Sequence, residues 1–157
     1  MHQTDDPRLA RIAELFTRHI PHGRFLGLEV LRLAAGRVRL RVPDRPAWLG
    51  NAALGLWHGG VITSAIDSAC GMAALGVVAA EERVVTLDLR VDYLRPAVGG
   101  APLYVEARCY RLTRPVVFLR ARAWQRRDKP VAAAVATFMR LPAASEPSES
   151  EAQEWRT

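Results

Sequence analysis

Lysine, cysteine and long apolar runs are all scarce in this chain of 157 residues. Lys129 is the single lysine, and Cys70 and Cys109 lie in apolar contexts without a CxxC motif or the spacing of zinc ligands. We therefore expect two reduced, buried thiols, no metal site and a reducing compartment, the cytoplasm. The longest apolar run, residues 69–80, is shorter than the roughly 20 residues that cross a bilayer. The polar residues 1–6 predict no signal peptide.

Two catalytic motifs are also missing from the sequence. Without a Gly-x-Ser-x-Gly motif, a serine hydrolase is disfavoured. Without a glycine-rich phosphate loop, nucleotide hydrolysis is excluded. The four histidines form no ligand pattern, so neither a metal nor another cofactor is expected.

The charge is unevenly distributed along the chain. The formal net charge is +6, and without residues 142–157, which hold four Glu and one Arg, it is +9 from 21 basic and 12 acidic residues. Such a surplus favours anionic partners. Three explanations stay open at this point: nucleic acid, a phosphorylated small molecule, or no anionic partner at all.

Hydrophobic periodicity predicts one α+β domain over residues 1–141, followed by a disordered tail over 142–157. The predicted order is a helix over 7–20 that Pro21 ends, a hairpin over 26–42, a loop over 43–57, a long buried helix over 59–79, and strands over 84–94, 103–112, 116–124 and 131–139. In the strand over 84–94, apolar residues from Leu87 to Tyr93 alternate with polar ones, which predicts one buried face. Short connections imply antiparallel neighbours, so we expect the sheet to wrap around the long helix.

The run from His58 to Asp67 is the most informative stretch. Gly59 and Gly60 follow His58 at a predicted helix start, where free N–H groups and the helix dipole favour a developing negative charge. Asp67 lies among apolar helix residues, where an ionised carboxylate is costly unless it is used. A polarising helix N-terminus and a sequestered acid or base are two parts of an acyl-transfer site. The alternative is that His58 is an ordinary turn residue and that Asp67 lies on a solvent-exposed face of the helix.

This order of elements resembles the hotdog-fold acyl-CoA thioesterases, in particular their phenylacetate-pathway, PaaI-like branch. The resemblance covers residues 25–141. Its most specific pieces are Gly50-Asn51 before the His58 run, the strand over 86–96 with its Tyr-x-Arg-Pro end, and Ala-Thr-Phe-Met over 136–139. It implies a hotdog fold and hydrolysis of an acyl-CoA thioester to a carboxylate and coenzyme A. We accordingly expect neither a nucleic-acid nor a membrane partner.

The same resemblance implies roles for individual residues. Asp67 is expected to be the general base or nucleophile, and the Gly59 N–H to polarise the thioester carbonyl. His58 and Asn51 are expected to orient the carbonyl or the catalytic loop. Substrate or coenzyme A contacts are expected from Gly60, Trp57, Arg95 and Arg114.

Two positions depart from the family pattern. In several relatives the Asn lies six residues before the His, whereas Asn51 lies seven before His58. Some relatives place a water-holding hydroxyl just before the strand-ending proline, where this chain has Arg95, so another group must hold the water. Other relatives carry Arg there, near the coenzyme A phosphates, and a basic group near the turn of Arg114. Each of these two arginines is equally well explained as an ordinary exposed residue at the end of a strand.

Helix geometry separates the two central residues of the predicted site. Asp67 lies eight residues beyond Gly59, about 12 Å along the axis at 1.5 Å per residue, whereas reacting atoms approach within about 3–3.5 Å. A second, antiparallel helix across a two-fold interface would bring its Asp67 to this Gly59. We therefore expect a homodimer or homotetramer with shared active sites.

Two other functions are alternatives at this stage. An acyl-thioester hydratase or dehydratase of the same fold would be expected to use a different His motif, and no His-Phe-Pro run is present. A non-catalytic acyl-CoA sensor would be expected to carry a DNA-binding helix-turn-helix. The roughly 25 residues before the first predicted strand have room for one helix and a turn only.

Overall fold

The computed structural model describes residues 6–142 and has an α+β architecture. Its helices are α1 (Pro7–Glu14), α2 (Pro21–Leu26) and α3 (Gly59–Leu75), with a π-helical turn over Leu15–His19 and a 3₁₀ turn over Pro46–Trp48. Its strands are β1 (Glu29–Ala34), β2 (Arg37–Val42), β3 (Leu49–Asn51), β4 (Leu56–Trp57), β5 (Arg83–Tyr93), β6 (Leu103–Leu112), β7 (Val116–Arg126) and β8 (Lys129–Leu141). The predicted tail lies outside the described residues, except for its first residue, Pro142.

A six-stranded antiparallel sheet packs around α3, as the sequence predicts. The strand order is β1-β2-β6-β7-β8-β5. Inward-facing side chains such as Leu40, Val105 and Leu119 are fully buried against α3. The helix presents small residues to them, including the buried Ala69 and Ala73, so the sheet approaches closely. In residues 6–142 no helix is long and apolar enough to cross a membrane.

The long helix ends four residues earlier than predicted. It stops at Leu75 instead of residue 79, because the chain turns at Gly76 against the β1–β2 hairpin. A Cβ at Gly76 would lie 3.3 Å from the Gly36 nitrogen and 3.5 Å from the Ala34 oxygen. The Arg8 guanidinium then donates hydrogen bonds to the Leu75 carbonyl, at 2.8 Å, and to the Val78 carbonyl, satisfying acceptors that the helix end leaves open.

The predicted single helix over residues 7–20 is wrong in its second half. After α1 the chain forms the π-helical turn, and Pro21 begins α2 where the sequence suggested an end. Proline suits a first helical position because the missing N–H would have no partner there. Gly23 in α2 packs on the π-helical turn so tightly that a Cβ there would overlap the Phe16 carbonyl oxygen. The predicted loop over 43–57 likewise contains the small β3–β4 pair.

Strand β5 lies at one edge of the sheet and pairs only with β8 among the described strands. The predicted alternation holds for Leu89 and Val91, which pack against the core. It fails at Leu87 and Tyr93, which are 50% and 52% exposed. The pairing register shifts between Thr86 and Asp88, and nothing in the described chain covers the outer side of the strand. The result is a long edge with exposed apolar side chains.

Candidate active site

His58 caps the N-terminus of α3. Its Nδ1 accepts a 3.0 Å hydrogen bond from the Gly60 N–H, and its carbonyl accepts one from the Val61 N–H. A neutral imidazole that accepts at Nδ1 carries its proton at Nε2, which is left as a donor. In the described chain the Gly59 N–H makes no hydrogen bond, so the first donor of α3 is free for a ligand. The free N–H and the N-terminal end of α3 can therefore stabilise a negative charge at the predicted helix start.

The small β3–β4 pair fixes the position of His58. The His58 N–H donates to the Trp48 carbonyl at 2.7 Å. A Cβ at Gly50 would lie only 2.9 Å from the His58 Cα, so a side chain there would displace the loop. Trp57 is buried and donates through Nε1 to Asp44 at 3.1 Å. Trp57 thus anchors the approach to α3 and also lines the cleft beside His58.

Tyr93, at the end of β5, holds the first turn of α3, and the sequence reasoning gave it no role. Its hydroxyl donates to the Gly59 carbonyl at 2.9 Å and lies 2.6 Å from the Thr63 hydroxyl. Thr63 also bonds the Gly59 carbonyl at 3.3 Å. The only available signal was the Tyr-x-Arg-Pro end of the strand. These contacts fix the peptide plane that the Gly59 carbonyl shares with the capped Gly60 N–H.

Asp67 lies at the midpoint of α3, half-buried at the surface of a cleft. The expectation of a fully sequestered carboxylate is wrong, because only its helix neighbours Ile66, Ala69 and Cys70 point into the core. The Thr86 hydroxyl of β5 donates to Asp67 Oδ1 at 2.9 Å. Burial, and then the Asp67 charge, raise the pKa of the Cys70 thiol to about 12. Cys70 is therefore a protonated core residue and no nucleophile.

Thr86 supplies the kind of hydroxyl that the chain lacks at position 95. A hydroxyl is missing before the strand-ending proline, and Thr86 instead places one beside Asp67 from the other end of β5. The sequence contained this signal only as one polar position in an alternating strand. A hydroxyl that donates to the carboxylate keeps its oxygen lone pairs available to a water molecule.

Two separate clefts contain the two halves of the predicted site. One, of about 1140 Å³, includes Asp67 and Thr86. The other, of about 610 Å³, includes His58, Gly59 and Arg95. Because β5 runs antiparallel to α3, Thr86 meets the helix at Asp67 and Tyr93 meets it at Gly59. A single copy of the chain therefore does not bring the Gly59 N–H and the Asp67 carboxylate together.

The remaining predicted site residues are dispersed. Asn51 is exposed and accepts a 3.0 Å bond from the Leu54 N–H, so its side chain is engaged in its own turn. Arg95 donates to the Pro130 carbonyl at 3.0 Å. Arg114 is exposed at the β6–β7 turn, next to Pro115, whose carbonyl accepts from Arg140 near the opposite end of β8. Nine to ten residues of β8 separate these ends, about 30 Å at 3.3 Å per residue. Within one chain the two arginines cannot contact the same phosphate.

No group of three or more potential metal ligands occurs within residues 6–142.

Known proteins of similar sequence and shape include proteins named as thioesterases. The sequence profile of the thioesterase superfamily matches residues 54–132. The medium/long-chain acyl-CoA thioesterase YigI of Salmonella typhimurium is 33% identical over 149 residues, covering 87% of this chain and 96% of that protein. A thioesterase family protein from Silicibacter pomeroyi superposes with a TM-score of 0.78 at 28% identity, covering 86% and 99% of the two chains. The PaaI protein of Escherichia coli gives 0.78 at 18% identity, covering 87% and 96%, and shares the fold.

The fold and these similarities in sequence define a thioester hydrolase. The chain belongs to the thioesterase superfamily, in the hotdog-fold acyl-CoA thioesterase family. The predicted fold class and the predicted family are both confirmed.

Proposed function

We propose that this chain hydrolyses medium- or long-chain acyl-CoA thioesters in the cytoplasm, at a site that two copies share. The observation that carries the proposal is the separation of Gly59 and Asp67 into different clefts on one helix. Their spacing of about 12 Å along the axis exceeds what one thioester carbonyl and its attacking water bridge. The chain-length class is that in the name of the relative YigI.

The edge strand supplies the interface for the second copy. An edge strand of 11 residues with exposed apolar side chains and an outer side that no described strand pairs is an aggregation hazard unless it is covered. Val85, Leu87 and Leu94 are each more than two-fifths exposed on or beside β5. Antiparallel pairing of β5 with its own copy across a two-fold axis would also set the two α3 helices antiparallel. Each Gly59 would then lie toward the partner's Asp67, giving two equivalent sites.

In this arrangement the reaction is attack of water on the thioester carbonyl. The Gly59 N–H donates to the carbonyl oxygen, and the positive end of the α3 dipole stabilises the charge that develops there. Asp67 from the other copy accepts a proton from water, and the Thr86 hydroxyl orients that water. The carbon–sulfur bond breaks as the tetrahedral intermediate collapses. A carboxylate and coenzyme A are released, and the proton taken from water passes to the thiolate.

Asp67 could equally add to the carbonyl itself and form an anhydride that water then hydrolyses. The two routes use the same residues and the same shared geometry. Hydrolysis in ¹⁸O-water under single-turnover conditions separates general-base attack from a nucleophilic route in which water attacks the Asp67 carbonyl of the anhydride. General-base attack puts one ¹⁸O in the carboxylate product, whereas that nucleophilic route puts ¹⁸O on Asp67 and leaves the first product with ¹⁶O alone.

Subunit exchange tests the shared site. We would mix Asp67→Asn with Gly59→Val, two variants that are each expected to be inactive, and purify heterodimers through two different affinity tags. One site of each heterodimer then combines an intact Gly59 with an intact Asp67. We expect heterodimers to recover about half of the wild-type activity, because one of two equivalent sites is restored.

The control is a heterodimer of wild type with the Asp67→Asn/Gly59→Val double variant, in which every site retains one defect. It should stay nearly inactive if the site is shared and half-active if each chain holds a complete site. The proposal would be overturned if heterodimers of one Asp67→Asn chain and one Gly59→Val chain were inactive. A monomer that is fully active, with its mass measured by light scattering, would also overturn it.

A further inference from the structure

The cleft that contains the free Gly59 N–H has two walls that are distant in sequence. One wall is the chain from Trp57 to Gly59, which leads from β4 into α3. The other is the chain from Tyr93 to Ala97, which leaves the end of β5 and includes Arg95. The Trp57 N–H donates to the Ala97 carbonyl at 3.0 Å, so the walls meet there. The turn over residues 98–101 follows directly, and its position therefore bears on the separation of the walls.

Asp44 connects one wall to this turn with its two carboxylate oxygens. Oδ1 accepts a 3.1 Å hydrogen bond from the Trp57 indole N–H, and Oδ2 accepts a 3.0 Å bond from the Gly100 N–H. Trp57 is buried, and Gly100 has a φ of 87°, a conformation that glycine adopts without strain. Asp44 itself is exposed and does not line the cleft. Its carboxylate therefore ties the Trp57 wall to the turn from outside the cleft.

Gln125, near the end of β7, holds the same turn at three atoms. Its Oε1 accepts from the Val98 N–H at 2.8 Å, and its Nε2 donates to the Val98 and Ala101 carbonyls at 2.6 and 2.9 Å. A side-chain amide has two N–H donors, so both are used on this turn. The Gly99 N–H also donates to the Gly55 carbonyl at 2.8 Å. The turn is thus fastened both to the sheet and to the chain that leads into α3.

These side-chain bonds act on the cleft and not on the pairing of the main sheet. Asp44 follows β2, which ends at Val42, and its partners lie in one wall and in the turn that follows the other. Gln125 belongs to β7, but its side chain bonds atoms of the turn. The walls carry the Gly59 N–H on one side and Arg95 on the other. Asp44 and Gln125 therefore help to set the distance between these two groups.

The geometry points to Asp44 and Gln125 as positioning residues that hold the two walls of the Gly59 cleft at a fixed separation. This assignment rests on the proposed shared site, in which the Gly59 N–H polarises the thioester carbonyl. Such a donor is effective only when it is aimed at the atom where charge develops, and a misplacement of about 1 Å costs on the order of 10²-fold in rate. Neither residue touches the reacting atoms. Their loss should lower kcat and leave the Asp67 cleft unchanged.

Steady-state kinetics on decanoyl-CoA is the first test. Asp44→Ala removes both acceptors, Asp44→Asn leaves one, and Gln125→Glu places an acceptor where the amide donates to two carbonyls. We expect kcat to fall at least about tenfold for Asp44→Ala and Gln125→Glu, less than the roughly 10²–10³ of losing an oxyanion donor outright. Asp44→Asn should lose less than Asp44→Ala. The Asp44→Ala/Gln125→Glu double variant should lose less than the product of the single losses, because both changes release the same turn. The control Glu29→Ala removes another exposed carboxylate beside β2 and should keep kcat within about twofold.

Heterodimers show which half of the site Asp44 serves. In a heterodimer of Asp67→Asn with Gly59→Val, the working site combines Gly59 of the first chain with Asp67 of the second. Asp44→Ala added to the Asp67→Asn chain should lower the recovered kcat at least about tenfold, because that chain supplies the working Gly59. The same change added to the Gly59→Val chain should leave kcat within about twofold, because its cleft is already disabled. A general loss of stability would act equally in both placements.

The outcomes separate this assignment from the proposed function. Equal kcat for the two placements of Asp44→Ala would overturn the assignment, even if acyl-CoA hydrolysis and the shared site are both observed. If no heterodimer regains activity, the shared site fails and the homodimers decide. Wild-type kcat for Asp44→Ala, or losses that multiply fully in the double variant, would then overturn the assignment, and tenfold losses that combine less than multiplicatively would support it. If wild type hydrolyses no acyl-CoA, the proposed function fails and this assignment fails with it.

Discussion

The Thr86 hydroxyl donates a 2.9 Å hydrogen bond to Asp67 Oδ1 and so ties the edge strand β5 to the midpoint of α3. In the described chain Asp67 Oδ2 has no hydrogen-bond partner, which leaves it as an acceptor for a proton from water. The pair belongs to one cleft, and the free Gly59 N–H belongs to the other. The proposed catalytic groups are thus held separately, each by contacts within its own chain.

Replacing Asp67 by its neutral isostere should abolish most of the activity. Asp67→Asn keeps the shape of the side chain but removes the base, and loss of a general base costs roughly 10² to 10⁴ in rate. We expect kcat to fall at least about 100-fold, with an unchanged circular dichroism spectrum. An Asp67→Asn enzyme that retains more than a tenth of wild-type kcat would show that the carboxylate has another role.

Removing the Thr86 hydroxyl should have a smaller effect of the same kind. Thr86→Val preserves the β-branched shape on the strand while deleting the donor to Asp67. A hydrogen bond to a charged group contributes about 1.5–3 kcal/mol, and the low end applies to this exposed position, so kcat should fall about tenfold. Thr86→Ser keeps the hydroxyl and should stay within about threefold of wild type. Similar rates for Val and Ser variants would exclude a role for the hydroxyl.

The sequence predicts the sheet, the buried helix and the helix-start motif because each depends on local patterns. Alternating apolar residues and short connections determine the strands, and His58 followed by two glycines determines the cap. Thr86 and Tyr93 were missed because their partners lie on α3, 19 and 30–34 residues away in sequence. The π-helical turn was missed because it depends on packing between Phe16 and Gly23. Tertiary contacts of this kind produce no periodic pattern in the sequence, so periodicity does not predict them.

Tyr93 should act as a positioning residue for the N-terminal turn of α3. Tyr93→Phe removes the hydroxyl that bonds the Gly59 carbonyl and the Thr63 hydroxyl. A net contribution of about 1 kcal/mol for such a bond predicts a loss of about fivefold in kcat, with KM nearly unchanged. Tyr110→Phe, on another exposed tyrosine, is the control. In a Thr63→Val background the Tyr93→Phe loss should shrink, and full additivity of the two changes would contradict coupling through Gly59.

Stability in acid should depend on Glu82. Hydrogen bonds from the Arg140 guanidinium, at 2.8 and 3.0 Å, hold the pKa of the Glu82 carboxyl below its usual value of 4.5. A lowered folded-state pKa adds stability above the unfolded pKa, and this is lost as pH falls below 4.5 and through the folded value. Glu82→Gln should therefore lower Tm at pH 7 and lower it less near pH 3. The control variant is Glu29→Gln, because Glu29 forms an ion pair with Arg41 that is more exposed than the pair of Glu82 and Arg140. An equal Tm difference at both pH values would contradict this account.

Arg95 and Arg114 should contribute to binding the phosphates of coenzyme A from opposite ends of the sheet. Arg95 lines the cleft that contains Gly59. In a two-fold dimer the β6–β7 turn that carries Arg114 approaches the partner's Arg95 end, because β5 would pair antiparallel with its copy. Truncating either Arg should cost about 1.5–3 kcal/mol, roughly tenfold to 100-fold, mainly in KM, because the nucleotide is remote from the bond that breaks.

The matched substrates for these two arginines are an acyl-CoA and the acyl-pantetheine with the same acyl group. Acyl-pantetheine lacks the nucleotide phosphates, so Arg95→Ala and Arg114→Ala should raise KM for acyl-CoA alone. The effect should also shrink as salt rises, since exposed charges are screened over about 10 Å at 0.1 M salt. Arg127→Ala, on an exposed Arg of the β7–β8 turn, controls for general loss of positive charge. Equal losses on both substrates would assign Arg95 and Arg114 a structural role. A loss for Arg95→Ala alone would leave Arg95 on the phosphate and place the Arg114 turn away from it.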